Sequence, residues 1–290
     1  MKEKKGLILL ICVVLAAAVA AVLLLNRPAD KKEPKTTVTS EETAEAPEET
    51  AADRLTAIRE AGKLVIAMEG VWQPWTYHDE DGNLTGFDYE VGNLLAEGLG
   101  VKAEFVETAW DGILAGVDSG RFDIACNGVG CGDEERQAAY NFSSVYIYSE
   151  MVLVVRDDNE DIRTIEDLKG KTTANSPNST YAKTAEKAGA TVIYVDTLGE
   201  TMALLEQGRA DATLNDKDSA ESYMAEHPEA KIKIVLTVPG DPVAVPMKKG
   251  SETETLKAEI DRIFQEARDN GKLAELSVKY FGVDLTTKPE

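Results

Sequence analysis

Two stretches of this chain repeat one pattern, and the repeat narrows the folds open to it. Leu114-Ala115-Gly116-Val117-Asp118-Ser119-Gly120-Arg121-Phe122-Asp123-Ile124 is echoed roughly 90 residues later by Leu204-Leu205-Glu206-Gln207-Gly208-Arg209-Ala210-Asp211-Ala212. Each reads as an amphipathic helix stopped by a glycine, followed by Arg-x-Asp at the entry to an apolar strand. A unit that occurs twice implies two lobes of similar build. The surrounding sequence alternates strands and helices, as an α/β fold does. In the first half we expect strands at 63–68, 101–106 and 122–126. Helices are expected at 88–97, with Val91, Leu94 and Leu95 on one face, and at 110–118, with Ile113, Leu114 and Val117 inward. A new run starts at 151–155. The second half has strands at 171–174, 191–195, 210–214 and 231–236, helices at 181–187, 200–206 and 219–226, and two closing helices at 252–270 and 273–280. Ligands of open α/β sheets bind at the carboxyl ends of strands. Two such lobes facing each other therefore enclose one cleft.

Ahead of this region, residues 6–25 are an unbroken apolar run preceded by Lys2, Lys4 and Lys5. A helix of about 20 residues spans a bilayer, and the lysines put its start in the cytoplasm. We read it as an uncleaved membrane anchor. A cleaved signal ending near Ala18-Val19-Ala20 and a lipidated Cys12 stay open as alternatives, and all three export the remainder of the chain. Residues 26–52 form an acidic linker without an aromatic residue, too poor in apolar surface to fold. About 235 residues remain, enough for two lobes.

The formal charge of −21 argues against nucleic acid as a partner, since phosphate binding needs a basic face. No Gly-x-Ser-x-Gly, His-Glu-x-x-His or Cys-x-x-Cys occurs, and His78 and His227 sit beside turn residues. Gly128-Val129-Gly130-Cys131-Gly132 has the look of a phosphate loop, but Asp133-Glu134-Glu135 follows it and would repel phosphate. We expect no catalytic residue, no metal and no cofactor. Cys126 and Cys131 either form one local bridge or remain small buried residues.

What the sequence does offer is a set of ligand contacts at strand ends. Glu69, Trp72 and Trp75 follow the first strand, and Trp110 begins a helix. Indoles make apolar walls and attract cations through the ring face. Trp75, after Pro74, reads as core, whereas Trp72 and Trp110 read as walls. Arg136 is placed to grip a carboxylate through two parallel hydrogen bonds, the alternative being a surface ion pair with Glu134 or Glu135. Asp216, at the end of a strand, suits an ammonium group. Ser179 and Thr180, after Asn178, stand at a helix start where free N–H groups favour an anion. An arginine and hydroxyls for a carboxylate, with an acid for an amine, describe a receptor for an α-amino acid.

Over residues 53–285 the wording resembles the extracytoplasmic solute-binding proteins, family 3, of polar amino-acid ABC transporters. The resemblance is carried by Pro74-Trp75-Thr76-Tyr77, Leu84-Thr85-Gly86-Phe87-Asp88-Tyr89-Glu90-Val91, Trp110-Asp111-Gly112-Ile113-Leu114-Ala115-Gly116, Gly120-Arg121-Phe122-Asp123, Glu135-Arg136, Asp167-Leu168-Lys169-Gly170-Lys171 and Gly271-Lys272-Leu273. It implies a two-lobed, periplasmic-binding-protein-like fold of type II. Hinge crossings are expected near 147–151 and 238–243, with lobe 1 at 53–148 plus 242–285 and lobe 2 at 149–241. By the same resemblance Glu69 meets the ligand's side chain, and Trp72, faced by Trp110, covers it. Arg136 with Ser179 and Thr180 takes the α-carboxylate, and Asp216 takes the α-amino group. One loop departs from the family: Gly130-Cys131-Gly132-Asp133-Glu134-Glu135-Arg136 stands where Ser/Thr-Ile-Thr-x-Glu-Arg is usual. The hydroxyls are absent, so Gly128 and Gly130 are left to contact the ligand through a closely approaching backbone. Met68-Glu69-Gly70 with Trp72 looks most like cystine-type members, although Glu69 equally suits a lysine or arginine side chain. The function implied is a monomeric receptor, tethered through residues 6–25 at the extracytoplasmic face of the membrane, which closes on a polar amino acid and delivers it to an ABC permease. A dehydratase-like enzyme on the same fold and the sensor lobe of a signalling system are the alternatives. The sensor would need a second membrane span or an effector domain after Leu285.

Overall fold

The computed structural model describes residues 53–289. The expected membrane anchor and acidic linker lie outside the described residues. Among the described residues, no helix is long and apolar enough to cross a membrane.

The strand Lys63–Met68 is central because its apolar run serves both faces of a sheet. It is flanked in parallel by Lys102–Glu107 on one side and Ile124–Ala125 on the other. Side chains alternate across a strand. Leu64, Ile66 and Met68 accordingly join a large cluster with Val91 and Leu95 of the helix Phe87–Leu99, while Ala67 joins Ile113 and Val117 of the helix Trp110–Asp118. A second sheet holds five strands in the order Ile232–Val243, Ile147–Arg156, Ala212–Asp216, Thr172–Asn175 and Thr191–Tyr194. Its faces are also divided: Leu153, Val155 and Leu214 pack on one side, Val152 and Val154 with Met202 and Leu205 on the other.

The sequence echo has a structural cause. Asp123 donates its N–H to the Val65 carbonyl at 2.9 Å and accepts the Val65 N–H on Oδ2 at 2.7 Å. Asp211 does the same to Thr172, donating at 2.7 Å and accepting on Oδ2 at 2.8 Å. In both lobes the acid of Arg-x-Asp therefore fastens the incoming strand to its parallel neighbour, satisfying groups that would otherwise be left unpaired.

Two long strands join the lobes. Ile147–Arg156 and Ile232–Val243 run antiparallel from the pair Arg156↔Ile232 to the pair Ile147↔Val243. Ile147 and Val243 are buried in the first lobe's core, whereas Leu153 and Val155 belong to the second's. Each strand thus starts in one core and ends in the other, which makes them the two crossings. The register slips between Pro239 and Pro242. The strand tolerates prolines there because it lies at the sheet edge.

Most expected elements are present with ends shifted by a residue or two. Three differ more. The strand expected at 122–126 is only Ile124–Ala125, since Phe122 and Asp123 turn into the sheet edge. The strand expected at 231–236 extends to Val243 because it continues across the hinge. The helix Glu134–Ala139 was not expected. Asp133 starts it by accepting the Arg136 N–H at 3.0 Å, as an N-cap does.

Candidate functional site

The carboxyl ends of strands from both sheets converge on one cavity of about 60 Å³, where one water takes roughly 10–15 Å³. Eight residues expected from sequence line it: Glu69, Trp72, Trp110, Gly128, Gly130, Arg136, Ser179 and Thr180.

Glu69 follows the first strand and Asn127 follows Ile124–Ala125, so neighbouring parallel strands deliver them side by side. The Glu69 N–H donates to Asn127 Oδ1 at 2.8 Å, and Asn127 Nδ2 donates back to Glu69 Oε2 at 2.7 Å. Thr76 Oγ1 also donates to Asn127 Oδ1 at 3.1 Å, which fixes the amide orientation. Burial pushes the Glu69 carboxyl up to about 7; the Asn127 hydrogen bond opposes this, and the charge of Asp196 adds to it.

Trp72 is half-buried and lies stacked on Trp75, centroids 5.4 Å apart and planes 10° off parallel. Trp75 is core, 1% exposed. Gly128 closes the floor beneath Trp72. Its φ of 56° lies in the left-handed region, and a Cβ there would meet the Trp72 ring at 2.6 Å. Its N–H, however, donates to buried Asp88 at 2.5 Å, so Gly128 lines the cavity without offering that donor to a ligand. The Cys131 N–H is likewise taken by the Pro242 carbonyl. Cys131 and the fully buried Cys126 are free thiols.

Arg136 is buried at 5% exposure and makes no ion pair with Glu134 or Glu135. One NH donates to the Gly130 carbonyl at 3.1 Å and another to the Asn178 carbonyl at 2.7 Å, so the guanidinium bridges the two lobes. It sits 5.6 Å from the centre of the Trp110 ring, within cation–π range. Burial lowers its pKa, opposed by Asp241 and Asp133, and arginine keeps its charge regardless. A guanidinium has five N–H donors, and these two bonds leave the others for a carboxylate. Asn178 adopts φ 59°, a region that asparagine tolerates better than most residues. Ser179 caps the following helix, accepting from the Ala182 N–H at 3.0 Å.

Asp216 is placed otherwise than expected. Its carboxylate is 0% exposed and stands behind the cavity wall, with neighbouring Asn215 at the surface instead. The cause is local: Oδ1 accepts from Trp75 Nε1 at 3.1 Å and from the Ser219 N–H at 3.1 Å, capping the helix Lys217–Glu226. Oδ2 has no hydrogen-bond partner among the described residues. Burial raises the Asp216 pKa to about 6.

Besides Asn215, three acidic or amide residues that line the cavity escaped the sequence reading. Asn127 and Asp196 each follow a strand's carboxyl end, and that rule applied to every strand would have found them. Asp241 could not be found so. The register slip after Pro239 turns its side chain into the cavity, where it packs against Gly130 and Gly132. A Cβ at Gly130 would lie 2.8 Å from Asp241 Oδ2, which accounts for the glycines in the departing loop. Among the described residues, no group of three or more His, Cys, Asp or Glu is placed to hold a metal ion.

A two-lobed α/β protein with a cleft of this kind belongs to the type II periplasmic-binding-protein class. The model of the bacterial extracellular solute-binding proteins, family 3, matches residues 64–283, and the chain belongs to that family. A probable amino-acid ABC transporter-binding protein of Haemophilus influenzae is 39% identical over 225 residues, 77% of this chain and 86% of that one. An L-cystine-binding protein of Bacillus subtilis, TcyA, is 38% identical over 237 residues, 81% of this chain and 87% of that one. An ancestral arginine-binding protein solved with arginine superposes with a TM-score of 0.71 at 33% identity, covering 76% of this chain and 99% of its own. A cyclohexadienyl dehydratase of Pseudomonas aeruginosa is 30% identical over 182 residues, 61% of this chain and 67% of that one. Family membership puts the protein outside the cytoplasm, among solute-binding proteins rather than enzymes.

Proposed function

We propose that this protein is the substrate-binding component of an amino-acid ABC importer, closing its lobes on a polar amino acid and handing it to the permease. The observation that carries this reading is Arg136, buried in the cavity wall and held between the lobes by the Gly130 and Asn178 carbonyls. A ligand carboxylate there gains charge-assisted hydrogen bonds in a desolvated site, and ties both lobes together as it does so. Trp72 and Trp110 supply the apolar walls, and Glu69 meets the side chain. Ser179 and Thr180 stand at the helix start on the second lobe's side, while Asp216, fully buried behind the wall, holds the Trp75 indole and caps the helix that follows it.

The lobes divide as 53–148 with 242–285, and 149–241. The apolar run 6–25 tethers a monomer to the membrane through the acidic linker 26–52. The dehydratase alternative is disfavoured by the relatives, which at higher identity are transport proteins. The test is a calorimetric titration with the twenty amino acids and cystine. Arg136→Ala should weaken the bound amino acid by about a hundredfold or more, as loss of a buried charge partner does. Affinity retained in that variant would remove Arg136 from the site.

A further inference from the structure

Arg136 and Lys183 reach across the cleft in opposite directions. Arg136 belongs to the helix Glu134–Ala139, which leads into Tyr140 and Phe142 on the first lobe's core. Lys183 belongs to the helix Thr180–Lys187, whose Ala185 is buried with Leu214 in the second lobe's core. The Arg136 guanidinium donates to the Asn178 carbonyl, just ahead of the second helix, at 2.7 Å. Lys183 Nζ runs the other way, donating to Oδ1 of Asp133, the N-cap of the first helix, at 3.1 Å. That same oxygen accepts the Arg136 N–H at 3.0 Å. One carboxylate oxygen thus holds the backbone of Arg136 and the far lobe's lysine together, and each helix start receives the cation of the other helix.

The Lys183 and Asp133 side chains are 27% and 13% exposed, whereas Glu135, which Lys183 also meets at 2.9 Å, is 86% exposed. A solvated pair gains little, so Asp133, where water is partly excluded, is the partner that matters more. Lys183 lies one turn beyond Thr180 on the same face of the helix. Thr180 lines the cavity and Lys183 does not, so the lysine acts without touching a bound amino acid. Separation of the lobes breaks both cross-lobe bonds, which confines the contact to the closed arrangement.

We propose that Lys183 is a positioning residue of the site: as the lobes close it clasps Asp133, fixes the helix start from which Arg136 projects, and so completes the carboxylate subsite from the second lobe. This role rests on the receptor reading above, in which Arg136 takes the carboxylate. It also gives the departing loop a purpose, since Asp133 stands within the stretch that replaces the family's hydroxyl-bearing wording.

The full-length chain is titrated with the twenty amino acids and cystine, and the tightest binder of that set is the probe. Lys183→Met should weaken the probe by about fivefold, mainly through faster dissociation. Lys183→Arg, which keeps the cation, should cost less than about twofold. Raising salt from about 0.01 M to about 1 M should bring wild-type affinity toward that of Lys183→Met, whose own affinity stays nearly flat. Asp133→Asn keeps the cap and loses the charge, so adding it to Lys183→Met should cost almost nothing more. A lysine that merely supports the fold would lower the urea midpoint and leave affinity and its salt dependence unchanged; that result overturns the clasp. Additive losses in the double variant overturn it too. In either case binding that is lost in Arg136→Ala leaves the receptor reading standing. Binding of no amino acid by the wild type overturns both.

Discussion

Glycine 130 shows how one residue type can be set by a side chain distant in sequence. Its backbone is unstrained, yet a Cβ there would lie 2.8 Å from both Cβ and Oδ2 of Asp241. Gly130→Ala should therefore push Asp241 from its place, costing about 1–3 kcal/mol of stability by overpacking and weakening ligand binding. Urea unfolding and a ligand titration on the same variant check both; an unchanged variant would mean that Asp241 has room to move. The contact explains why the family's hydroxyl-bearing loop wording is missing here, which sequence could register only as a departure. Residues that carry their chemistry at a strand's end or beside a helix start were legible in this way: Glu69, Trp72, Trp110, Arg136, Ser179 and Thr180 share one cavity. Asp216 was harder to read. The same carboxylate can face a cleft or cap a helix, and here the Ser219 N–H and the Trp75 indole hold it behind the wall.

At the scale of elements, the repeated Arg-x-Asp was the most legible feature, because its acid performs one task in both lobes. Asp123→Ala and Asp211→Ala should each leave a strand N–H, of Val65 or Thr172, without its acceptor. The expected loss is about 1–3 kcal/mol apiece, and larger for Asp123, whose carboxylate also accepts from Arg54 Nε at 2.5 Å. Denaturant unfolding measures it, and a negligible loss at both sites would deny the echo a structural role. The strand Ile232–Val243 was the least legible element. Pro239, Gly240 and Pro242 read locally as the end of a strand, and only pairing with Ile147–Arg156 carries it onward. Propensity is local and that pairing is not.

For the whole molecule, burial of acids sets a pH dependence. Burial is the main cause that raises Glu69, Asp88 and Asp218 to about 7 and Asp216 to about 6. Between the ordinary carboxylate range and these values, the folded protein holds protons that the unfolded chain has released. Stability should therefore fall as pH rises from about 4 to about 7 and level off above that. Exposed acids with lowered pKa, such as Asp79 and Asp167, act in the opposite sense only below about 4. Melting temperature of the ligand-free protein across pH 4–8 checks this; a steady rise through that window would contradict it. Whether the cleft between the lobes binds a polar amino acid is measured by calorimetric titration of the full-length chain. Saturable one-site binding of at least one polar amino acid or cystine is expected, lost in Arg136→Ala. No heat of binding with any of them, confirmed by an unchanged melting temperature, would contradict it.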